Sequence, residues 1–440
     1  MKRGPLNGPP LRDGVRRRPR RALLIAALSL LAVAVGGYLA APQLRARHHL
    51  NQARVALDNV DFDQALAELN KCREVWPDDA EVHRLSARAQ RLAGNISKSI
   101  EELRACKDSG GDAESIAFET QLLDATQGKL AAVETNLRRQ IDNGHPDKRF
   151  IFEALIRGYL IRQRSEEAER LATTWIELLP SDWQPHFLRA IARTKMTGEL
   201  ATTPFDGAKK DYERVLELKP DHDLARLLLG NAYALTGQYR EALPHLERYC
   251  QQKPDDVQGV TELANCYRAL GQIDDASRVL DDWLAKHAGN VDVYLLRGQV
   301  AMDVEKSESA LDFFHRAEAL VPGQEKTQYL LAVALRALGR AEEANPYEEK
   351  WRTYQELTAK LKQLAQVAAR EPQNLAVRYE AGTIALRLGD DANGVRWLQS
   401  ALKLDPNHRP THAALAEHFQ RKGNYQAAAA HSELAGGSPR

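Results

Sequence analysis

Glycine, tyrosine and proline residues recur at intervals of 34 residues through most of this chain. Gly237 is followed 34 positions later by Gly271, and Tyr233 is followed in the same way by Tyr267. Further pairs with this separation are Pro220 and Pro254, Gly94 and Gly128, Cys72 and Cys106, and Gly389 and Gly423. A period of this length indicates stacked units that each contact their neighbours. We therefore expect one elongated array of repeats and not several compact domains.

The segment from Asp223 to Asp256 contains two amphipathic helical patterns. The first apolar face consists of Leu224, Leu227, Leu228, Ala232 and Leu235, and the second consists of Tyr239, Ala242, Leu243, Leu246 and Tyr249. Spacing of three and four residues is typical of one buried face of a helix. Gly237 separates the two helices, and Pro254 ends the second because the residue before proline disfavours helical geometry. The pattern predicts an all-α fold built from helix pairs.

These positions resemble the tetratricopeptide repeat (TPR) family. The matching residues are Leu229, Gly230, Tyr233, Ala242, Leu246 and Pro254. The resemblance implies an α-solenoid, in which antiparallel helix pairs form a right-handed superhelix. It covers residues 46–435 as about eleven repeats, which start near Ala46, Ala80, Glu114, Arg149, Trp183, Asp223, Val257, Val291, Glu325, Leu375 and Arg409. The consensus residues with a structural role are then Gly230, Tyr233, Gly237, Ala242, Pro254, Ala264, Tyr267, Gly271, Ala276, Gly298, Ala310 and Pro322.

Two irregularities interrupt the 34-residue frame. Between Pro180 and Pro220 the interval is 40 residues, which predicts a six-residue insertion near 198–204. Between Pro322 and Pro406 the interval is 84 residues, which is two repeats plus sixteen. Since neither Gly nor Pro occurs from residue 347 to 371, we expect an extended helix near 342–370. This helix either packs on the adjoining repeat or projects towards a partner.

The amino-terminal region has the composition of a membrane anchor. Residues 1–21 hold eight Lys or Arg and seven Pro or Gly, which predicts a disordered basic tail. Residues 22–41 contain no charge and are long enough to cross a bilayer as a single transmembrane helix, a signal anchor. The basic flank predicts a cytoplasmic amino terminus and extracytoplasmic repeats. The alternative is signal cleavage near Ala34 to Gly36, which would make the protein secreted or periplasmic.

Residue patterns for catalysis are missing from the sequence. No P-loop, nucleophile elbow, zinc-protease or dinucleotide-binding motif occurs. The aspartates that follow the repeat-ending prolines precede helices, where a carboxylate caps free backbone N–H groups. They are Asp78, Asp79, Asp221, Asp223, Asp255 and Asp256. Since the repeats leave no room for a catalytic domain, we expect a protein that is not an enzyme.

Cysteine and histidine residues indicate no metal site. Cys72 and Cys106 share one frame position in successive repeats, and Cys250 and Cys266 lack metal-binding spacing, so we expect four free, buried thiols. His408 and His412 lie on either side of Pro410, which argues against a metal-binding pair on one helix. We expect neither a cofactor nor a metal.

A basic groove is the candidate binding site. In the TPR family, frame positions two, five, nine and twelve of the first helix face a concave groove. On this chain these positions give Arg47, Arg54, Arg84, Arg88, Arg91 and Arg157. Guanidinium groups would bind an acidic or carboxylate-ended peptide. The alternative is that they pair with Glu81, Glu119 and Glu153 within the repeats. Asn231 and Asn265 share position nine, as in relatives that clamp a terminal carboxylate, but Leu227 replaces the accompanying lysine.

Two functions fit these features. The first is a non-catalytic, membrane-tethered scaffold or adaptor that binds a protein or peptide partner through its repeats. The second is a secreted or periplasmic factor for envelope or polysaccharide assembly, which would stack sugars on groove aromatics such as Phe118, Phe187, Tyr329 and Tyr379. Because acidic and basic residues nearly balance beyond the tail, no nucleic-acid partner is expected.

Overall fold

The computed structural model describes residues 40–196, 202–287 and 289–436. These residues form α-helices joined by short turns, and they include no β-strand. Up to residue 225 the helices are α1 (40–58), α2 (Phe62–Arg73), α3 (Ala80–Leu92), α4 (Ile96–Asp108), α5 (Ala113–Thr126), α6 (Glu134–Asp142), α7 (Lys148–Ile161), α8 (Ser165–Leu178), α9 (Trp183–Thr194) and α10 (Thr202–Leu218). A 3₁₀ turn, Leu130–Ala132, precedes α6.

The remaining helices continue this order to the carboxy terminus. They are α11 (Asp223–Leu235), α12 (Tyr239–Gln252), α13 (Val257–Ala269), α14 (Ile273–Lys286), α15 (Val291–Met302), α16 (Ser307–Leu320), α17 (Glu325–Ala337), α18 (Ala341–Arg370), α19 (Leu375–Arg387), α20 (Asp391–Leu402), α21 (Arg409–Arg421) and α22 (Tyr425–Leu434). The odd-numbered helices from α3 onwards begin at, or one residue before, the repeat starts expected from the sequence. The fold of the described residues is thus an all-helical, TPR-like solenoid.

The chain divides into two compact units, where the sequence suggested one continuous array. The first unit is Met1–Ala225 and the second is Arg226–Arg440. Within each unit, consecutive helices pack as pairs, for example α3 with α4 in the first and α15 with α16 in the second. Each pair also contacts the next one along the chain, as α2 contacts α3 and α16 contacts α17.

Local sequence signals explain where the helices begin and end. The side chain of Asp79 accepts a hydrogen bond of 2.9 Å from the backbone N–H of Val82 at the start of α3. Asp256 accepts one of 3.0 Å from Gly259 at the start of α13. Gly237, after α11, has a φ of +76°, a conformation that glycine adopts without steric cost.

Close helix packing depends on glycine at the consensus positions. A Cβ atom on Gly230 would lie 2.7 Å from Cγ of Leu246, and one on Gly298 would lie 2.3 Å from Cε1 of Phe314. Both distances are shorter than van der Waals contact, so any larger residue would push the paired helices apart. This explains the glycine that recurs in the middle of the first helix of a repeat.

The core of the first unit contains its largest aromatic side chains. Trp175 of α8 stacks on Phe152 of α7 with 5.6 Å between ring centroids, and Tyr159 is fully buried beside them. The second unit buries smaller groups between successive pairs, such as Leu280 with Val293 and Phe314 with Leu331. Burial between neighbours is the source of stability expected for stacked repeats.

The two irregularities of the frame lie at the positions where the intervals placed them. Residues 197–201 of the insertion near 198–204 lie outside the described residues, and α10 begins at Thr202. Helix α18 has 30 residues. Its first half packs on α17, and Leu364 in its second half is buried against Ala381 and Ile384 of α19. The extension therefore packs on the adjoining repeat.

The predicted membrane anchor falls almost wholly outside the described residues. Of residues 22–41, only the last two are described, at the start of α1, and the basic tail 1–21 is not described at all. A search of the described helices found none long and apolar enough to cross a bilayer.

Candidate functional site

The predicted basic groove begins with partly exposed arginines on α1 and α3. Arg47 on α1 is exposed. Arg54 donates a hydrogen bond of 3.2 Å from Nη2 to Glu81 Oε1. Arg84 binds the same carboxylate with two hydrogen bonds of 2.7 Å, so Glu81 bridges two arginines. The guanidinium groups hold the pKa of Glu81 below its ordinary value, although burial acts in the opposite direction.

Arg88 is buried in a second ion-pair cluster. Its Nε donates to Glu119 Oε1 at 2.7 Å, and its Nη2 donates to Asp147 Oδ2 at 2.6 Å. The guanidinium carbon also lies 4.4 Å from the ring centroid of Phe150. Only 4% of Arg88 is exposed, so its charge is used to join α3, α5 and α7.

Arg91 and Arg157 meet at a third carboxylate. Arg91 Nη1 donates to Glu153 Oε2 at 2.6 Å, and Arg157 Nε donates to the other oxygen, Oε1. Glu153 and Arg91 are almost fully buried, whereas the Arg157 side chain is 41% exposed. Burial by itself would raise the pKa of Glu153, but the two guanidinium groups outweigh it and keep that pKa below the ordinary value.

Five of the six candidate arginines therefore pair with the three glutamates that the sequence offered as the alternative. Arg47 is the exception among the described residues. Arg88 and Arg91 expose too little surface to meet a partner, because they are enclosed between helices. No structural observation tests whether the more exposed members of this set contact a partner.

A further arginine connects distant parts of the first unit. Arg149, at the start of α7, donates to the backbone carbonyl of Asp58 after α1 and forms an ion pair of 2.8 Å with Asp182 before α9. Asp58 lies 91 positions from Arg149. Such long-range contacts carry no signal in the repeat pattern, and the sequence analysis missed them.

The largest pocket of the first unit lies in repeat three, with a volume of about 750 Å³. Its second helix is irregular, because a 3₁₀ turn is followed by α6 with only nine residues. Helix α6 makes little contact with α5, which packs directly on α7 instead. The displaced α6 leaves an opening between α3, α5 and the α6–α7 turn, named here the repeat-three pocket. It is lined by Glu81, Arg84, Asp112, Glu114, Ser115, Ala117, Phe118, Gln121, Asn136, Arg139, Gln140, Asn143, His145 and Asp147.

Amide and aromatic groups hold the walls of the repeat-three pocket. Asn136 of α6 donates to Gln121 of α5 at 2.6 Å, and Arg139 donates to Asn136 at 2.7 Å. His145 stacks on Phe118 with 4.6 Å between centroids. These contacts brace the opening without filling it.

The second unit has a smaller opening at the predicted asparagine position. Asn265 is exposed and lines a pocket of about 580 Å³ with Tyr239, Arg268 and Asp303. Arg268 donates to both carboxylate oxygens of Asp303. Leu227, in place of the clamp lysine, is buried in the core, so a carboxylate clamp at Asn231 would lack its cation.

The four aromatic residues proposed for sugar stacking differ in exposure. Phe118 is only 9% exposed and lies under His145, so neither ring face is free for a sugar. Phe187 packs among aromatic neighbours, and Tyr379 lies beside a histidine ring. Tyr329 is 45% exposed and contacts Trp351, which leaves it as the most accessible of the four.

Thiols and imidazoles form no metal site among the described residues. No group of three or more His, Cys, Asp or Glu side chains there could hold a metal ion. All four cysteines are free, and Cys250 is only partly buried. Burial raises the pKa of Cys72 and Cys266 to about 11, so these thiols stay protonated and unreactive at neutral pH. His412 Nδ1 lies 2.9 Å from His431 Nδ1, within α21 and α22.

Sequence comparison agrees with the helix pairs. Profiles described as tetratricopeptide repeat match residues 50–114, 199–257, 235–300 and 361–409. The chain carries tetratricopeptide repeats. A curated relative, Protein FlbA of Caulobacter vibrioides, is 29% identical over 179 residues, which are 41% of this chain. The match spans 27% of the length of that relative.

Solved TPR structures resemble parts of the chain at low identity. A tetratricopeptide repeat protein from Parabacteroides merdae is 16% identical, covers 66% of this chain with 99% of its own and has a TM-score of 0.33. YrrB, described as a TPR protein with an unusual peptide-binding site, is 17% identical, covers 46% with 96% of its own and has a TM-score of 0.27. Human IFIT1 with m7Gppp-AAAA is 16% identical, covers 81% with 89% of its own and has a TM-score of 0.36. Scores at this level identify no ligand.

Proposed function

We propose that this protein is a non-catalytic scaffold, tethered to a membrane by residues 22–41, whose TPR helices hold a protein partner outside the cytoplasm. The proposal is carried by one observation, namely that an uncharged run of twenty residues with a basic flank directly precedes a long array of helical repeats. A tether of this kind restricts the repeats to the membrane surface and raises their effective concentration for partners there.

The character of the open surfaces supports protein binding. The repeat-three pocket and the Asn265 pocket are lined by polar side chains with some apolar surface. Such surfaces suit an extended peptide, which needs hydrogen bonds for its backbone and contacts for its side chains. Neither pocket brings together a nucleophile, a base and an oxyanion site of the kind an acyl-transfer enzyme requires.

Protease accessibility tests the tether and its orientation. Intact cells or spheroplasts that produce the full chain, labelled with a different epitope at each end, would be treated with protease and fractionated. We expect loss of the carboxy-terminal epitope while the amino-terminal epitope stays in the membrane as a short fragment. Protection of the repeats until lysis would show that the orientation is inverted.

The same experiment separates the anchor from signal cleavage. If residues 22–41 are retained, the amino-terminal epitope stays on the chain and the protein sediments with membranes. Release of a soluble chain that begins after the apolar run would instead support the secreted or periplasmic alternative. Partner capture by in-cell crosslinking, with recovery of the full chain, then tests the scaffold role itself.

A further inference from the structure

We infer that the repeat-three pocket binds a basic side chain, arginine or lysine, on the protein partner. This inference rests on the proposed scaffold function and specifies the partner's chemistry. The pocket wall carries four carboxylates, from Glu81, Asp112, Glu114 and Asp147, but only two guanidinium groups, from Arg84 and Arg139. An excess of negative charge on a concave surface favours a cation over an anion.

The two guanidinium groups of the wall already have partners. Arg84 binds Glu81 through two nitrogens and Glu119 through a third. Arg139 donates to the side-chain oxygen of Asn136. Neither offers a free fork to a carboxylate, so an acidic peptide would meet mainly carboxylates in this pocket.

Several acceptors of the pocket, in contrast, are unused. Glu114 is exposed and pairs with no cation among the described residues. Asp147 uses Oδ2 for Arg88 and has Oδ1 left for another donor. The Oε1 atom of Gln140 is buried and accepts no hydrogen bond. A buried acceptor without a donor is costly, so its presence at a pocket wall is an observation independent of the charge excess.

A basic side chain matches this set of groups. Arginine and lysine carry only donors, which suits a wall rich in free acceptors. Their aliphatic stems can lie along Ala117 and Phe118 while the charged end reaches the carboxylates. A volume of about 750 Å³ also leaves room for the flanking peptide.

The test compares two substitutions at matched positions. Glu114 and Glu342 are each the second residue of a helix, each follows an alanine, and both are exposed. Only Glu114 lines the pocket. Glu114→Lys and Glu342→Lys therefore change net charge and helix-end electrostatics equally, and they differ in their effect on the pocket alone.

The probe is a short fluorescein-labelled peptide with spaced arginines in a glycine–serine background, read by fluorescence anisotropy on the full chain in detergent. Its control replaces each arginine by citrulline, which keeps the shape and removes the charge. We expect Glu114→Lys to weaken arginine-peptide binding about tenfold, while Glu342→Lys changes it less than about twofold. The citrulline peptide should bind about tenfold more weakly to the wild type.

A second variant separates binding from folding. Gln140→Met keeps the side-chain length and removes the unpartnered oxygen, so the melting temperature should stay the same or rise. The same variant should weaken the arginine peptide, which a purely structural role of Gln140 would not do. Equal binding of the arginine and citrulline peptides, or equal effects of the two lysine variants, would overturn the inference.

Failure of this inference can be distinguished from failure of the scaffold function. If in-cell crosslinking recovers a partner equally from wild type and Glu114→Lys, the scaffold stands and the partner binds elsewhere. If a glycan or an acidic peptide competes for the pocket and the arginine peptide does not, the assigned chemistry is wrong. If crosslinking recovers no protein from the wild type, the scaffold proposal itself fails.

Discussion

At the scale of single residues, arginines predicted to contact a partner instead join helices of the first unit. Arg88 reaches Glu119 and Asp147, and Arg91 reaches Glu153 on α7. A charge enclosed in this way is stabilising only while its partner is present. Charge reversal at Arg88 would therefore disturb folding, and it would be a poor test of partner binding.

Glu153→Gln should be strongly destabilising. The substitution leaves the Arg91 guanidinium buried without a counter-charge, and the expected loss is about 3 kcal/mol in the free energy of unfolding. Arg157→Gln is the matched control, because it removes the exposed partner of the same carboxylate and should cost less than about 1 kcal/mol. Urea denaturation followed by circular dichroism measures both. Equal losses would show that burial of the ion pair has no special weight.

His222 should make the first unit less stable at mildly acidic pH. Burial beside Trp183 and Phe187, together with the Lys219 charge, lowers the pKa of His222 from 6.5 to about 4. Its Nδ1 accepts a hydrogen bond from the backbone N–H of Ala225 at 3.1 Å, which requires an unprotonated nitrogen. Below pH 6.5 the unfolded chain takes up a proton that the folded chain refuses, so stability falls as the pH falls from 6.5 towards 4.

Titration of the His222 ring by NMR checks this expectation directly. A midpoint near 4 agrees with it, whereas a midpoint near 6.5 contradicts it. In His222→Asn, an amide oxygen can still cap the helix, and this contribution to the pH dependence should disappear.

At the scale of helices, departures from the repeat frame create the distinctive features. The short α6 opens the repeat-three pocket, and the long α18 joins two repeats through a single helix. In both cases the second helix of a repeat has changed length. A first helix contacts neighbours on both sides, so its length is more constrained by packing.

Proline substitution tests the continuity of α18. Ala359→Pro removes a backbone hydrogen bond in the middle of the helix and should cost about 3 kcal/mol or more. Ala341→Pro is the control, because residue 341 is the first of the helix, where proline is tolerated, and it should change stability by less than about 1 kcal/mol. Thermal unfolding followed by circular dichroism compares the two variants. A small effect at Ala359 would indicate that the two halves of α18 are stable independently.

At the scale of the whole molecule, the described chain forms two compact units of stacked helix pairs. The buried residues described in the first unit begin at Ala46. None of them belongs to the apolar run 22–41, so this run is free to serve as an anchor without weakening the helical core. The tether and the repeats can thus have separate roles.

Removal of residues 1–39 should separate these roles. The chain from residue 40 onwards keeps every described helix, so its far-ultraviolet circular dichroism and melting temperature should match those of the full chain. It should no longer sediment with membranes, because the apolar run is gone. A truncated chain that loses its cooperative melting would show that the first residues also contribute to folding.

The sequence by itself determined the helix pairs, their approximate starts and the long α18. These features follow from local signals, namely apolar periodicity, capping aspartates such as Asp256, and glycines such as Gly237 and Gly230, which act within one repeat. A 34-residue period repeats those signals, which is why the family resemblance was readable.

The tertiary structure decided which charges are free and where the surface opens. Arg91 and Glu153 are 62 positions apart, and Arg149 and Asp58 are 91 apart, so no local pattern relates them. Whether an arginine at a groove position binds a partner or a neighbouring helix depends on which carboxylate lies opposite it. Likewise, the repeat-three pocket exists because α6 packs little against α5, and that displacement depends on contacts between helices, which a sequence period does not specify.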